Sequence, residues 1–219
     1  GQFDHVAFEH TVMLLVLLCD ISITMAQFPS ADVAYNSYRY RPIGLSFCNL
    51  AALLLRMGYA YDSEEGRTIA SAVAALMTGK GYLVSAQIAR ELGGFEAFCE
   101  HRDSMMRLMY HHHEAAFGRS EHLGSAHLQP VVLDHTILPD AALGDAVQRV
   151  WDQALIQGDD FGYSNAQISL IAASPNVMRL MDAASVGAMP IGEYVREGQP
   201  GEWPAEIEAA LRQLGYREE

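Results

Sequence analysis

A mainly helical fold with two or three short strands is what this 219-residue sequence predicts. Three observations carry the prediction. Long stretches repeat apolar residues at helical spacing, between Asp, Ser or Asn starts and Gly or Pro stops. Runs of strand length are few and short. Half of the residues are apolar while Gly and Pro are modest, so the chain has the means to bury a core and is not disordered. A single domain over 1–219 is the expectation at this length. No internal repeat, low-complexity segment or shift of composition divides it.

Residues 4–26 read as a helix whose central turns are apolar on nearly every side, the pattern of a helix inside a protein. Phe28-Pro29-Ser30 ends it. A second short helix is expected over 31–40, with Tyr35 and Tyr38 on one face. The stretch 39–67 organises the rest: a strand over 43–47, a helix over 49–57, a stop at Gly58 and a new helix from Asp62. Asp62 offers an acceptor with Glu65 three residues on, a start like a capping box. That helix is expected to reach Leu92, with Gly93-Gly94 as its stop. Gly79 and Gly81 lie inside it, and each costs about 1 kcal/mol against Ala in a helix. Either a break or a very close neighbour is therefore predicted there.

A helix in one or two pieces follows over 95–117, then an irregular stretch over 118–139 with a candidate strand at 131–133. Residues 140–157 read as a helix with Val147, Val150, Trp151 and Leu155 on one face and Gly158 as the stop. Residues 165–173 alternate as a short strand, and 178–184 read as a short helix. A loop over 192–203 precedes a last helix over 205–214, with Pro204 in its first turn and Gly215 at its end.

The formal charge of −13 argues against nucleic-acid or anionic-membrane partners, which need a basic surface. The apolar run 11–19 is short and flanked by Glu9, His10 and Asp20, so it is not expected to span a bilayer. It follows no basic leader and precedes no small-residue cleavage site, so it does not read as a signal peptide. With Gly rather than Met at position 1, the natural start is expected upstream. Cys19, Cys48 and Cys99 are scattered through apolar surroundings without a Cys-x-x-Cys pair. They are expected to be buried, inert thiols in a reducing, cytoplasmic setting.

Among polar clusters, His111-His112-His113-Glu114 stands out, with His122 and His127 nearby. Consecutive residues on a helix fan over about 200°, so these three rings do not converge on one metal. A helical pair needs His at i and i+4, and residue 115 is Ala. A solvated helix face is the plain reading; a metal site or a partner contact are the others. No metal site is assigned. No G-x-S-x-G, Walker or dinucleotide fingerprint occurs, and Gly79-Lys80-Gly81 lacks the preceding strand. Met105, Met106 and Met109 read as packing rather than a cofactor box.

The stretch RYRPIGLSFCNLAALLLRMGYAYDSEEGR (39–67) resembles the adenosylcobalamin-dependent (class II) ribonucleotide reductases, in their large subunit. The resemblance extends to FDHVAFEHTV, similar to the first helix after that family's active-site cysteine loop, and to MAQFPS. It continues through the helical section from YDSEEGR to GGFEAF, through MMRLMYHHHEAAFG, through WDQALIQGDDFGYSNAQISLIAASPNVMRLMDAASVGAMP, and through LRQLGY near the end. It implies a helical part of an α/β barrel, and a role in ribonucleotide reduction for DNA synthesis.

The family's chemistry is radical chemistry, in which adenosylcobalamin raises a thiyl radical on a cysteine of an Asn-Pro-Cys-Ser-Glu loop. No such motif occurs in this sequence, and none of its cysteines falls at a family catalytic position, so no catalytic residue is assigned. The family's phosphate-binding Pro-Thr-Gly-Thr-Ile turn matches Ala173-Ser174-Pro175-Asn176-Val177. Pro175 replaces the glycine and removes an N–H donor. Downstream, the family's Cys-Asp-Thr-Thr-Gly-Ile-Glu-Pro becomes 183–190, keeping Gly187 and Pro190 but few of the acidic or hydroxyl groups. Ser174, Asn176 and Val177 are thus the residues of an altered substrate-phosphate site, with Asn165 and Gln167 supporting its entry strand. His112 matches a family histidine, and His113 and Glu114 stand where the family has arginines. The resemblance implies adenosylcobalamin as the family's cofactor, with none expected on this chain alone. It also implies a second reductase chain or a homo-oligomer as partner. A nucleotide-binding domain without turnover and a helical interaction domain are the alternatives.

Overall fold

Among the described residues, Asp4, Ser30, Ser63, Asp140 and Ser174 each cap a helix start with a side chain. A computed structural model of the chain describes residues 3–120, 131–191, 205–213 and 215. Helix α1 (His5–Met25) begins where Asp4 accepts the Ala7 N–H at 2.9 Å. Helix α2 (Ala31–Tyr40) is capped by Ser30 and ends at Arg41 in the left-handed region. Helix α3 (Leu50–Met57) stops at Gly58, φ +88°. Helix α4 (Glu64–Leu92) is unbroken. Its cap is Ser63, whose hydroxyl accepts the Gly66 N–H at 3.0 Å, not Asp62 as the sequence suggested. The Asp62 carbonyl instead receives the Arg67 guanidinium.

Helix α5 (Phe98–Ala116) is a single piece. It starts later than expected: residues 95–97 form a turn, with the Phe95 N–H on the Tyr163 carbonyl at 2.8 Å and the Phe98 N–H on the Phe95 carbonyl at 2.8 Å. Helix α6 (Ala141–Phe161), capped by Asp140, runs through Gly158 and ends at Gly162, φ +78°. Gly158 is no stop: a Cβ there would lie 2.0 Å from the Tyr163 hydroxyl, so the glycine admits that ring. Leu155 is half-buried, and Ala154 holds the core position beside it. Helix α7 (Pro175–Leu180) lies earlier than the expected 178–184, because Ser174 caps it and Asp182 turns left-handed after it. Helix α8 (Ala205–Gln213) is followed by Gly215 at φ +87°. The expected loop over 192–203, Pro204, His122 and His127 lie outside the described residues.

The chain packs as two compact units. One comprises 1–3, 46–70 and 170–219; the other comprises 4–45 and 71–169. In the first, α3 packs on α8. In the second, α5 packs on α6 and α1 on α2, around a core that includes Trp151, Tyr163, Leu76, Met109, Val147 and Ile168. Close approach, the second of the two outcomes expected at Gly79 and Gly81, is what occurs. A Cβ at Gly79 would lie 2.8 Å from the Trp151 indole nitrogen, and one at Gly81 would lie 2.3 Å from Ile168. Met105 and Met109 pack inside, as their spacing suggested.

The expected strands are reduced to one contact. Ile43 and Leu45 donate to the carbonyls of Gln167 and Ile168 at 2.9 and 2.8 Å, and Leu45 forms a single parallel bridge with Ser169. From residue 46 a side chain takes over. The Ser46 hydroxyl accepts the Ala172 N–H at 3.2 Å, and a ladder of backbone pairs does not continue. The 131–133 run is not a strand either: Leu133 donates to Ala115 O in the last turn of α5, at 2.9 Å. Among the described residues there is no sheet.

Helix α1 is less enclosed than its sequence suggested. Leu14, Leu18 and Ile21 are exposed, while buried Glu9 meets Arg149 and Lys80, and buried Asp20 meets Arg41. The full helix, unlike the run 11–19 alone, is long and apolar enough to cross a membrane, as is α4. Two-thirds of the α4 window is buried inside the protein (67%), which is the signature of a core helix. The paired carboxylates of α1 likewise tie it to protein neighbours rather than lipid.

Candidate functional site

Two places carry polar groups brought together from separate elements. The first surrounds the turn that the sequence matched to a phosphate site. Asn49 sits in the left-handed region at φ +72° just before α3. Its side chain does not cap α3. Its Oδ1 accepts the Ala184 N–H at 2.9 Å and its own N–H donates to Ser185 O at 3.1 Å. Gly187, φ +56°, brings its backbone close enough to Ala172 that a Cβ would meet the carbonyl at 2.7 Å. The Tyr61 hydroxyl donates to Ala188 O at 2.7 Å. Residues 172 and 184–188 are thereby fixed on either side of α7.

Within that frame, Ser174 accepts the Val177 N–H at 3.4 Å and caps α7. Asn176 and Val177 are exposed in its first turn. Pro175 has no N–H to give and the Val177 N–H is already engaged, so two of the donors an anion would use are spent. Asn165 and Gln167 lie in the other unit and part ways in role. Asn165 is fully buried. It donates to Asp20 at 2.9 Å and to Arg41 O at 3.0 Å, and it accepts from the Ser85 hydroxyl at 2.8 Å. Its amide is committed to holding the scaffold. Gln167 is exposed and donates to Ser169 O at 3.4 Å.

The second place is a cleft of about 520 Å³ within the unit formed by 4–45 and 71–169. Helix α4 contributes Thr78, α5 contributes His112 and α6 contributes Trp151, beside Gln167 and Ser169. Thr78 and Ser169 share a hydroxyl–hydroxyl bond of 2.8 Å. The Trp151 indole donates to Ala75 O at 3.0 Å, and the His112 ring stacks on it at 5.4 Å and 22°. Packing against these walls, with a smaller repulsion from His111, lowers the His112 pKa below the ordinary value, although the residue as a whole is exposed. Sequence reading treated the three histidines as one cluster. The fold separates them: His113 bonds Asp152 at 2.8 Å and stacks on Phe117 at 4.4 Å, and His112 alone lines the cleft. What set it apart was its period with Leu108 and Ala115 on one helix face.

The lowered pKa has a measurable sign. The folded chain binds fewer protons at His112 than the unfolded chain does. Stability from this group is therefore intact above the ordinary histidine value of about 6.5 and lost as pH falls through the depressed one. In urea titrations below about pH 6.5, His112→Gln is expected to lose stability less steeply with falling pH than the parent. Parallel slopes would show that the ring titrates normally.

The cysteines differ from their expected burial. Cys19 and Cys48 are half-buried and Cys99 is exposed, and all three are free thiols. Burial raises the pKa of Cys19 and of Cys48, which keeps both protonated and weakly nucleophilic.

Comparison with known proteins places this arrangement. A family model described as "Ribonucleotide reductase, barrel domain" matches residues 1–219. The chain belongs to the ribonucleotide reductase barrel-domain family. Among its relatives, the vitamin B12-dependent ribonucleotide reductases of Agrobacterium fabrum and Bradyrhizobium diazoefficiens are each 38% identical over 99% of this chain. The enzyme of the same name from Streptomyces coelicolor is 30% identical over 100% of it. The matched region makes up 18% of the first two relatives and 22% of the third, so the reductase barrel chain described here spans about a fifth of their length. The likeness read from 39–67 and the flanking segments holds across the whole chain.

Proposed function

We propose that this chain serves vitamin B12-dependent ribonucleotide reduction as a scaffold portion of the barrel, and that residues 1–219 alone perform no turnover. The observation that carries the reading is the 38% identity to vitamin B12-dependent reductases over 99% of the chain. In support, two of the three thiols are held in the unreactive protonated form by burial, and the turn over 173–177 spends donors on its own helix.

The cleft is too small for adenosylcobalamin. A corrin with its nucleotide tail is much larger than the drug-sized ligands that clefts of this volume enclose. The cleft does not fit it, and we assign the cofactor's contacts to other parts of the reductase. The exposed apolar residues of α1 favour a partner there, either the remaining reductase polypeptide or a second copy of this chain. The proposed setting is cytoplasmic.

Purified chain supplied with ribonucleotide, adenosylcobalamin and a dithiol is expected to yield no deoxynucleotide. Addition of a polypeptide carrying the Asn-Pro-Cys-Ser-Glu loop is expected to restore reduction. Deoxynucleotide from the chain alone would overturn the scaffold reading.

A further inference from the structure

Two sulfur atoms meet within the unit formed by 1–3, 46–70 and 170–219. The Cys48 thiol, just ahead of α3, donates weakly to the Met181 thioether at the end of α7, with 3.9 Å between the sulfurs. Both backbones are tied. Asn49, next to Cys48, bonds Ala184 through its side chain and Ser185 through its N–H. The Met181 N–H donates to Val177 O at 3.0 Å, and the Ala183 N–H donates to Met178 O at 3.0 Å. The pair is within reach of solvent, since Met181 is 63% exposed and Cys48 is half-buried. Among the described residues no group of three or more His, Cys, Asp and Glu side chains is placed to hold a metal ion, so they offer no four-ligand zinc site. A thiol beside a thioether is a different donor set. Both sulfurs are soft, and soft sulfur ligands select Cu(I). At a metal–sulfur distance of about 2.3 Å, sulfurs 3.9 Å apart subtend roughly 115° at a shared ion, close to a trigonal angle.

We propose that Cys48 and Met181 bind a soft monovalent metal ion of the Cu(I) type, with the thiolate and the thioether as its two protein ligands. The ion takes the place of the thiol proton. The S–H bond breaks, a sulfur–metal bond forms and one proton passes to solvent, with no change of oxidation state. The bent angle leaves a third coordination position for an exogenous donor. Burial raises the Cys48 pKa, so the unloaded thiol stays protonated, and affinity rises with pH as the competing proton is withdrawn. This inference does not depend on the reductase reading, because it requires no turnover and uses none of the residues of the 173–177 turn.

Competition for Cu(I) against the chromophoric chelator bicinchoninate, without oxygen, tests the site. The chain has three cysteines, so Cys19→Ala with Cys99→Ala leaves Cys48 as the only thiol. That chain is expected to take up one Cu(I) and release one proton. Met181→Leu, a surface change of similar volume, should weaken binding about tenfold or more, since losing even a group behind a metal ligand costs that much. X-ray absorption of the loaded chain should show two sulfurs at about 2.3 Å, and one fewer after Met181→Leu. A chain that keeps only Cys99, which is exposed, measures what a solitary thiol binds and should be weaker by a similar factor. Circular dichroism checks that each variant is folded; should Cys19→Ala not fold, Met181→Leu is compared with Cys19 kept. Equal affinity in folded Met181→Leu, or in the chain with Cys99 alone, would mean adventitious thiol binding and overturn the proposal.

Discussion

Replacing Asp20 with Ala is expected to cost about 3 kcal/mol of stability or more, read as a lowered urea midpoint at an unchanged slope. The carboxylate is buried and collects an Arg41 contact at 2.9 Å together with the Asn165 amide at 2.9 Å and the Ser164 hydroxyl at 3.4 Å. Its removal leaves the Arg41 guanidinium without its counter-charge and the Asn165 amide with one acceptor fewer, in a largely buried setting. That unpaired remainder, more than the lost attraction, sets the size of the effect. Asp20→Asn tests the reasoning. It preserves shape but turns an N–H₂ toward donors, so it should also destabilise. A cycle with Arg41→Ala should be strongly non-additive, since the second change removes the charge that the first left bare. A loss under about 1 kcal/mol for Asp20→Ala would mean that water reaches the site and replaces the carboxylate.

Gly158→Ala is the second large effect, and its sign separates two rules. Helix propensity alone predicts a gain of about 1 kcal/mol for Ala over Gly inside α6. Packing predicts a net loss of about 1–3 kcal/mol, because the new methyl would sit 2.0 Å from the Tyr163 hydroxyl. Tyr163 has little room to yield. It is fully buried, donates to Ala154 O at 3.0 Å and meets Tyr82 edge-on at 5.5 Å. Burial also raises the pKa of both phenols, that of Tyr82 to about 12, so neither escapes by ionising at ordinary pH. In thermal melts Gly158→Ala should fall below the parent. In a Tyr163→Leu background the same substitution should cost less or turn favourable. Stabilisation in the parent would show that the ring moves aside freely.

The helices were legible because their signals are local. Asp4, Ser30 and Asp140 each cap the helix their position announces, and spacing alone marked the buried face of α6. The errors arise where a distant residue decides. Gly158 looks like a stop until Tyr163, five residues on, fills the space beside it. Asp62 looks like a cap until Ser63, one residue on, takes the Gly66 N–H. The strand expected over 165–173 is not formed: Leu170 and Ile171 are both exposed, and Ser46 meets Ala172 with a hydroxyl rather than a backbone pair. The residues of the 173–177 turn came from family resemblance, and the fold shows what spacing could not: Asn49 and Ser46 hold its flanks, and Asn165 is spent on the scaffold. The cleft was least visible, since Thr78, His112, Trp151 and Gln167 become neighbours only when α4, α5 and α6 assemble.

The Asp20–Arg41–Asn165 network also sets a schedule for synthesis. Asn165 reaches the Arg41 carbonyl across 124 residues of sequence. Closing so long a loop adds little to the equilibrium cost, which grows only with the logarithm of length, but contacts of this span slow folding. On a ribosome adding roughly 5–20 residues per second, α1 and Arg41 emerge on the order of ten seconds before Asn165 does. Throughout that interval the Asp20–Arg41 pair lacks its third member, and Leu14, Leu18 and Ile21 stay exposed. The stretch from α1 to Arg41 is therefore expected to reach its full stability only once Asn165 has been added.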